Sequence, residues 1–307
     1  MKSIASSIVD FDLVNVIGLK VLIRSFKLHY RLNDVNSWQE QVSMKLLLPL
    51  LIGAVMADMD PLMTWRNIPA WANSVTANEK EIWATNRFWQ LFRCPRPCTG
   101  NWSYKGWFAG NVAMNQYEMW VIAVDGRIFR SKLPAHSNTF WWVGNGWGIA
   151  NGILKSASLG SNMVAGVNPG NDAFMSPFEF ANSTQTQPSW VHLPGKWRKV
   201  GVSADNELWG VATNGNVHKY SKRLRQWRQI SNPTVIDFHS ISVGRLHVYA
   251  TDANFKIYRC LRPCKHGGWQ QTSGLLRKVS LEQTGDSDTL FGINMHDQVW
   301  EGKLAPI

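Results

Sequence analysis

A ten-residue unit recurs six times in this chain, and recurrence at that interval restricts the fold to small repeated units packed side by side. The last copy reads Phe291-Gly292-Ile293-Asn294-Met295-His296-Asp297-Gln298-Val299-Trp300. A bulky residue opens it, a polar turn follows, and an aromatic or histidine closes it nine positions later. The other copies run Trp83–Phe92, Trp120–Phe129, Ala165–Phe174, Trp209–His218 and Tyr249–Tyr258, with openers 37 to 45 residues apart. A marker tryptophan precedes each unit: Trp65, Trp102, Trp141, Trp190, Trp227 and Trp269, 37 to 49 residues apart. Two markers that keep phase through six cycles define a period of about 40 residues.

Each period holds four short strand candidates. The marker strand, such as Trp190–Leu193, is followed by a Pro/Gly turn, Pro194-Gly195 in that repeat. An alternating strand comes next, such as 197–202 or 276–281, and the ten-residue unit then folds as a hairpin. Asp125-Gly126 and Asn214-Gly215 are strong two-residue hairpin turns. Nothing reads as a long helix. The expected fold is all-β: a six-bladed β-propeller of four-stranded antiparallel blades. The chain begins with a lone marker strand at Trp65 and ends on a hairpin. The N-terminal strand is therefore expected to complete the last blade near Asp297–Gly302 and close the ring. An open solenoid with capped ends is the alternative. The polar insertion Ser176–Ser189 and the small opener Ala165 make the third repeat the least regular.

At 307 residues, 45% hydrophobic and 17% charged, the chain has material for a large core. Met44–Ala57 reads as a signal peptide, with Lys45 before the apolar run Leu46–Val55 and a small residue at its end. Residues 1–43 would then be an upstream extension outside the mature protein. The propeller would span 58–307, and secretion to the extracellular space is expected. No run reaches the ~20 apolar residues of a membrane helix. The four cysteines form two copies of one motif, Arg93-Cys94-Pro95-Arg96-Pro97-Cys98 and Arg259-Cys260-Leu261-Arg262-Pro263-Cys264. Behind a signal peptide, an even count implies disulfides. A zinc site of four thiolates is the sharper alternative, but a six-fold ring would put the two motifs about 120° apart. Two local bridges, Cys94–Cys98 and Cys260–Cys264, are expected, and no metal.

Gly166-Val167-Asn168, Gly292-Ile293-Asn294, the marker tryptophan and Ile257-Tyr258-Arg259 resemble the tectonin repeat. The region after residue 57 is similar throughout to secreted tectonin lectins of the fish-egg lectin type. It departs from the pattern at Ala84, Val121 and Ala250, where the glycine is missing. The resemblance implies a propeller, carbohydrate binding and recognition of microbial surfaces. N-acetylated hexosamines as ligands follow from the resemblance alone.

In a meander propeller, the loops entering each innermost strand share a face with the turns of the ten-residue units. That face is expected to collect Trp71, Trp107, Trp147 and Trp197 with Asn86, Asp125, Asn168, Asn214, Asp252 and Asn294. An aromatic ring packs on the C–H face of a sugar, while its hydroxyls need directional polar partners. The plainer alternative makes the tryptophans core and the Asn/Asp residues turn formers. Val235 and Leu275 stand in the tryptophan place in repeats five and six, so those sites would be poorer. The opposite face carries the cysteine motifs and the sequons at Asn101 and Asn182, whose glycans would leave the sugar face free. It also carries the basic stretch Lys222–Arg228.

A net charge of +11 favours anionic partners such as lipopolysaccharide or bacterial cell wall. Nucleic acid is not expected of a secreted chain. No catalytic motif appears, so no enzyme is expected. No cofactor is expected; calcium and the oligomeric state are left open. A protein-interaction scaffold without lectin activity is the competing function.

Overall fold

Every unit opener is an internal side chain. Trp83, Trp120, Ala165, Trp209, Tyr249 and Phe291 are at most 1% exposed. The strands that carry them are buried on both faces, so they lack the alternation of a half-exposed strand. Each lies second in its repeat, covered above and below by neighbouring repeats. Burying one such side chain stabilises by about 1.5–3 kcal/mol.

The computed structural model describes residues 63–133, 147–178, 180, 187–230, 236–264, 268–282 and 288–304. They lie in one unit, Met59–Ile307. The predicted signal peptide, the upstream extension, Trp141, Asn182 and Val235 lie outside the described residues. The described residues are all-β. Before the first repeat runs β1 (Met63–Trp71). Repeat one is β2 (Ser74–Ala77), β3 (Glu81–Thr85), β4 (Leu91–Pro95) and β5 (Ser103–Gly106). Repeat two is β6 (Ala109–Met114), β7 (Glu118–Ala123), β8 (Arg127–Lys132) and β9 (Trp147–Ile153). Repeat three is β10 (Ser156–Leu159), β11 (Met163–Val167), β12 (Asp172–Pro177) and the first half of β13 (Val191–Val202). Repeat four is the rest of β13 with β14 (Leu208–Ala212), β15 (Val217–Ser221) and β16 (Gln226–Gln229). Repeat five is β17 (Phe238–Val243), β18 (His247–Asp252), β19 (Lys256–Leu261) and β20 (Trp269–Leu275). Repeat six is β21 (Lys278–Leu281), β22 (Thr289–Ile293) and β23 (Gln298–Leu304).

These strands form small antiparallel sheets arranged as in a β-propeller: four of four strands and one of seven. The first strands of successive repeats, β2, β6, β10, β13, β17 and β21, touch their neighbours in a closed cycle. Six separate sheets are not what is seen, because β13 does not break at Pro194-Gly195. Its residues 191–196 pair with β12, and 197–202 pair with β14. Gly195 takes φ 94°, which lets an extended chain cross between repeats without a loop.

The expected pairing of the two chain ends is present. β1 runs antiparallel to β23, with Met63 opposite Leu304, Trp65 opposite Gly302 and Ile68 opposite Val299. The Trp65 indole lies over Gly302, where an added Cβ would sit 2.5–2.8 Å from three ring carbons. Gly302→Ala is therefore expected to cost about 1–3 kcal/mol by forcing the ring off its strand. Chemical denaturation checks this, and an unchanged midpoint would show that Trp65 does not pack there.

The marker tryptophans join neighbouring repeats at the outer rim. Trp65 Nε1 donates to the Ser273 carbonyl at 3.2 Å, Trp102 to Pro69 at 2.9 Å and Trp190 to Asn151 at 2.8 Å. Each acceptor lies on the outermost strand of the preceding repeat. The marker of repeat two is Trp147, not Trp141. Trp147 pairs with Ser131, two positions past the closing residue Phe129, as Trp65 does past Trp300 and Trp269 past Tyr258. With Trp147 the markers stand 37 to 45 residues apart, the range of the openers.

The cysteine pairs stand at disulfide distance, Cα atoms 5.6 Å apart for Cys94/Cys98 and 5.4 Å for Cys260/Cys264. The two loops share a second feature. Each sends its central arginine into the preceding repeat. Arg96 reaches Glu282 at 2.9 Å and Glu301 at 3.1 Å across the seam between repeats six and one. Arg262 reaches Glu207 at 2.6 Å and Asp205 at 2.8 Å in repeat four. The Ser176–Ser189 insertion is also less polar in effect than its composition. Phe178 and Phe180 are buried against Trp120 of repeat two, with ring centroids 5.7 and 6.5 Å away.

A further motif went unread in the sequence. Glu81-x-Trp83, Glu118-x-Trp120 and Glu207-x-Trp209 place a carboxylate on the indole N–H of the opener, at 2.9, 3.0 and 3.3 Å. A cation one position past the closing residue, Arg93, Arg130 or Lys219, pairs with the same carboxylate. The spacing of two and twelve residues was the available signal.

Candidate functional site

The two sets of loops meet on one face through a contact repeated six times. The residue that enters each innermost strand donates its N–H to a left-handed or glycine residue in the turn of the preceding repeat. The pairs are Ala72 to Asp297 (2.7 Å), Ala109 to Trp89 (2.9 Å), Leu154 to Gly126 (2.9 Å), Trp197 to Asn171 (2.8 Å), Phe238 to Gly215 (3.2 Å) and Leu276 to Phe255 (2.8 Å). The entering side chain turns inward and is buried in all six. The residue before it turns outward. That exposed position is held by Trp71, Phe108, Ile153, Lys196, Asp237 and Leu275.

This register corrects the expected aromatic platform. Trp71 ends β1 and is 76% exposed, so it offers a ring face. Trp107 lies next to the equivalent position and is also exposed, edge-on to Phe108 with centroids 6.0 Å apart. Trp197 is one residue too far along. It is 2% exposed, stacks on Trp227 at 3.9 Å and donates its indole N–H to the Pro194 carbonyl at 3.0 Å. Trp147 is a buried rim marker on β9, not an innermost-strand residue. Neither Trp147 nor Trp197 presents a surface to a ligand. Leu275 does occupy the platform position of repeat six.

The six polar turn residues shape their own turns. Asn86 Oδ1 accepts from the N–H groups of Phe88 and Gln90, and its Nδ2 donates to Gln90 Oε1 at 2.7 Å. Asn294 repeats this with His296 and Gln298. Asn168 accepts from the Asp172 N–H, Asp252 from Asn254 and Lys256, Asp125 from Arg127 and Asn214 from Asn216. These are Asx turns. Their oxygens fix the loops that carry neighbouring side chains.

One cleft opens beside the outward Trp71. It measures about 640 Å³ and lies between the turns of repeats six and one. Trp71, Phe88, Phe92 and Trp102 form its apolar part, and Asn86, Arg87, His296 and Asp297 its polar part. Phe88 is 63% exposed with the Arg87 guanidinium 4.9 Å above its ring. Asp297 is held by Arg277 at 2.6 Å. Of the expected site residues, Trp71 and Asn86 come together here. Arg87, Phe88 and His296 were missed because their exposure follows from turn geometry rather than residue type.

A second, smaller space lies on the axis, bounded by the six innermost strands. Its volume is about 50 Å³, and Lys199 and Lys278 line it. Burial lowers the Lys199 ammonium to about 8, with Lys278 adding repulsion. Burial also lowers Lys278 to about 8, with Arg277 adding repulsion and Asp297 opposing it. Other basic residues beside the innermost strands are engaged: Arg198 with Asp237, Arg277 with Asp297 and Lys155 with Asn171. On the opposite face Asn101 and Lys222–Arg225 are exposed.

Sheets of this size, in this arrangement and with this ring of contacts, define a β-propeller protein. The chain belongs to the tectonin family: the Tectonin domain model matches residues 56–237, more than half of its length. No curated protein sequence matches it. Among solved structures it is similar to human WBSCR16, at 6% identity and TM-score 0.50, covering 78% of this chain and 88% of that one. A structure described as YCF48 bound to D1 peptide aligns at 12% identity and TM-score 0.47, over 81% of this chain and 98% of that one. Among the described residues, no helix is long and apolar enough to cross a membrane, and no cluster of acidic, histidine or cysteine side chains is grouped to hold a metal.

Proposed function

We propose that this protein is a secreted lectin built on a six-bladed tectonin propeller, binding microbial surface glycans rather than catalysing a reaction. The blade count follows from dividing the seven-stranded sheet within β13, which serves two blades. The observation that carries the binding reading is the cleft between repeats six and one. Trp71 offers an exposed ring, and Arg87, His296 and Asp297 offer a donor, a donor or acceptor and an acceptor beside it. This pairing suits a sugar with an apolar face and peripheral hydroxyls. N-acetylated hexosamines are the first candidates, and the charge of +9 left once residues 1–57, with six Lys/Arg and four Asp/Glu, are removed adds a salt-sensitive attraction to lipopolysaccharide or cell-wall polymers. The exposed pair Trp107 and Phe108 makes a second, shallower site, so the aromatic sites cluster on one side of the ring.

A glycan array with wild type and Trp71→Ala tests this. The variant is expected to lose roughly tenfold or more in binding to a multivalent glycan surface, with thermal unfolding unchanged because the ring is exposed. Equal array binding by both proteins would reject the cleft. Absence of glycan binding by wild type would favour a protein-interaction scaffold.

A further inference from the structure

The axial space carries chemistry that the glycan cleft does not use. A water needs about 10–15 Å³ of such volume, so about 50 Å³ takes a few waters or one small ion. The lining offers donors. Lys199 Nζ bonds Ser240 Oγ at 3.3 Å and the Val279 carbonyl at 3.4 Å, both long contacts. Among the described residues Lys278 Nζ bonds Asn73, at 2.7 Å to its carbonyl and 3.2 Å to its side chain. Ser74, Ser158 and Ser242 each accept a backbone N–H from the next innermost strand, at 3.3, 2.9 and 2.8 Å. Among the described residues none of these three hydroxyls donates its own proton, so each keeps a donor for the channel.

The charges point the same way. Neither lysine forms an ion pair among the described residues. The carboxylate nearby, Asp297, is taken by Arg277. Two positive charges therefore share a small space withdrawn from bulk water, an arrangement that costs free energy unless a negative charge joins them.

We propose that the axial channel is a binding site for one small inorganic anion, chloride or a tetrahedral oxyanion, held between Lys199 and Lys278 and completed by the channel serine hydroxyls. The anion would tie β13 to β21 through the lysines and to other repeats through the serines. It is independent of the sugar cleft, and Trp71→Ala should leave it intact.

Thermal unfolding of the full chain in a gluconate background at fixed ionic strength, titrated with chloride, sulfate or phosphate, tests the proposal. Gluconate is too large for the channel. Wild type is expected to show a saturating rise of roughly 5 °C once the anion is about a hundredfold above its Kd. The Lys199→Met/Lys278→Met double variant is expected to show none. A wild type without a saturating rise for any of the three anions would overturn the site, as would an equal rise in the variant, which would mark a surface effect. Should the double variant fail to fold, bromide-soaked wild-type crystals decide. An anomalous peak within hydrogen-bonding reach of both Nζ atoms supports the site, and no peak there overturns it.

Discussion

Replacing Arg96 by alanine is expected to cost about 3–5 kcal/mol, a fall of roughly 10 °C in melting temperature. Arg96 is 14% exposed and pairs with Glu282 and Glu301, whose side chains are 6% and 7% exposed. It also donates to the Asn78 carbonyl at 2.7 Å and lies 5.2 Å from the Phe291 ring centroid. Removing it takes a cation from two nearly buried carboxylates at the seam between repeats six and one, where Glu301 keeps Arg66. The equivalent Arg262→Ala should cost less, about 1–2 kcal/mol. Glu207 is 29% exposed and keeps Lys219, and Asp205 is 55% exposed. Paired denaturation curves give both values. Equal losses would show that burial at the seam does not set the difference, and a loss below about 1 kcal/mol for Arg96 would remove the clamp from the account.

Lys199→Met is expected to stabilise the protein at pH 7 when no binding anion is present. The folded value of about 8 lies below the ordinary 10.5, so folding penalises the charged form. The penalty is complete below pH 8, shrinks as pH rises and is gone above about 10.5, where the unfolded chain is neutral too. A depression of that size corresponds to at most about 3 kcal/mol, and relaxation of the channel brings the expected gain to about 1–3 kcal/mol. Lys278 has the same sign and window. The difference between wild type and variant from pH 8 to 10.5 belongs to Lys199. Urea denaturation of both proteins at pH 7 and pH 10 reads it. A methionine variant that is less stable at pH 7, or a gain that grows with pH, would reverse the argument.

Several elements were legible before any coordinates because their signals are local. The places of the hairpin turns, the Asx residues that build them and the cysteine pairs each depend on residues within four positions, although Asp125-Gly126 and Asn214-Gly215 sit in longer loops than the expected two-residue turns, with only the glycines at positive φ. The closing strand was legible for a different reason: a lone marker strand at one end and a hairpin lacking a fourth strand at the other leave one pairing. Trp197 leaves the expected platform because a shift of one residue along an extended chain reverses the direction of the side chain. Trp197 and Lys196 are adjacent, yet one stacks in the core and the other faces water. Trp141 falls within the marker spacing, but Trp147 holds the marker register opposite Ser131 and makes that spacing more even.

The sequence by itself determined the period, the all-β character, the turns and the family, since these rest on patterns repeated within about ten residues or at intervals of about forty. Tertiary structure alone decided which tryptophans are ligand surface and which are rim staples. It also decided that Arg96 spans the seam and that Lys199 and Lys278 line one axial space. Those relations join residues 79 to 205 positions apart. What holds them together is the curvature of stacked, twisted sheets, a property of the whole ring that no single segment encodes.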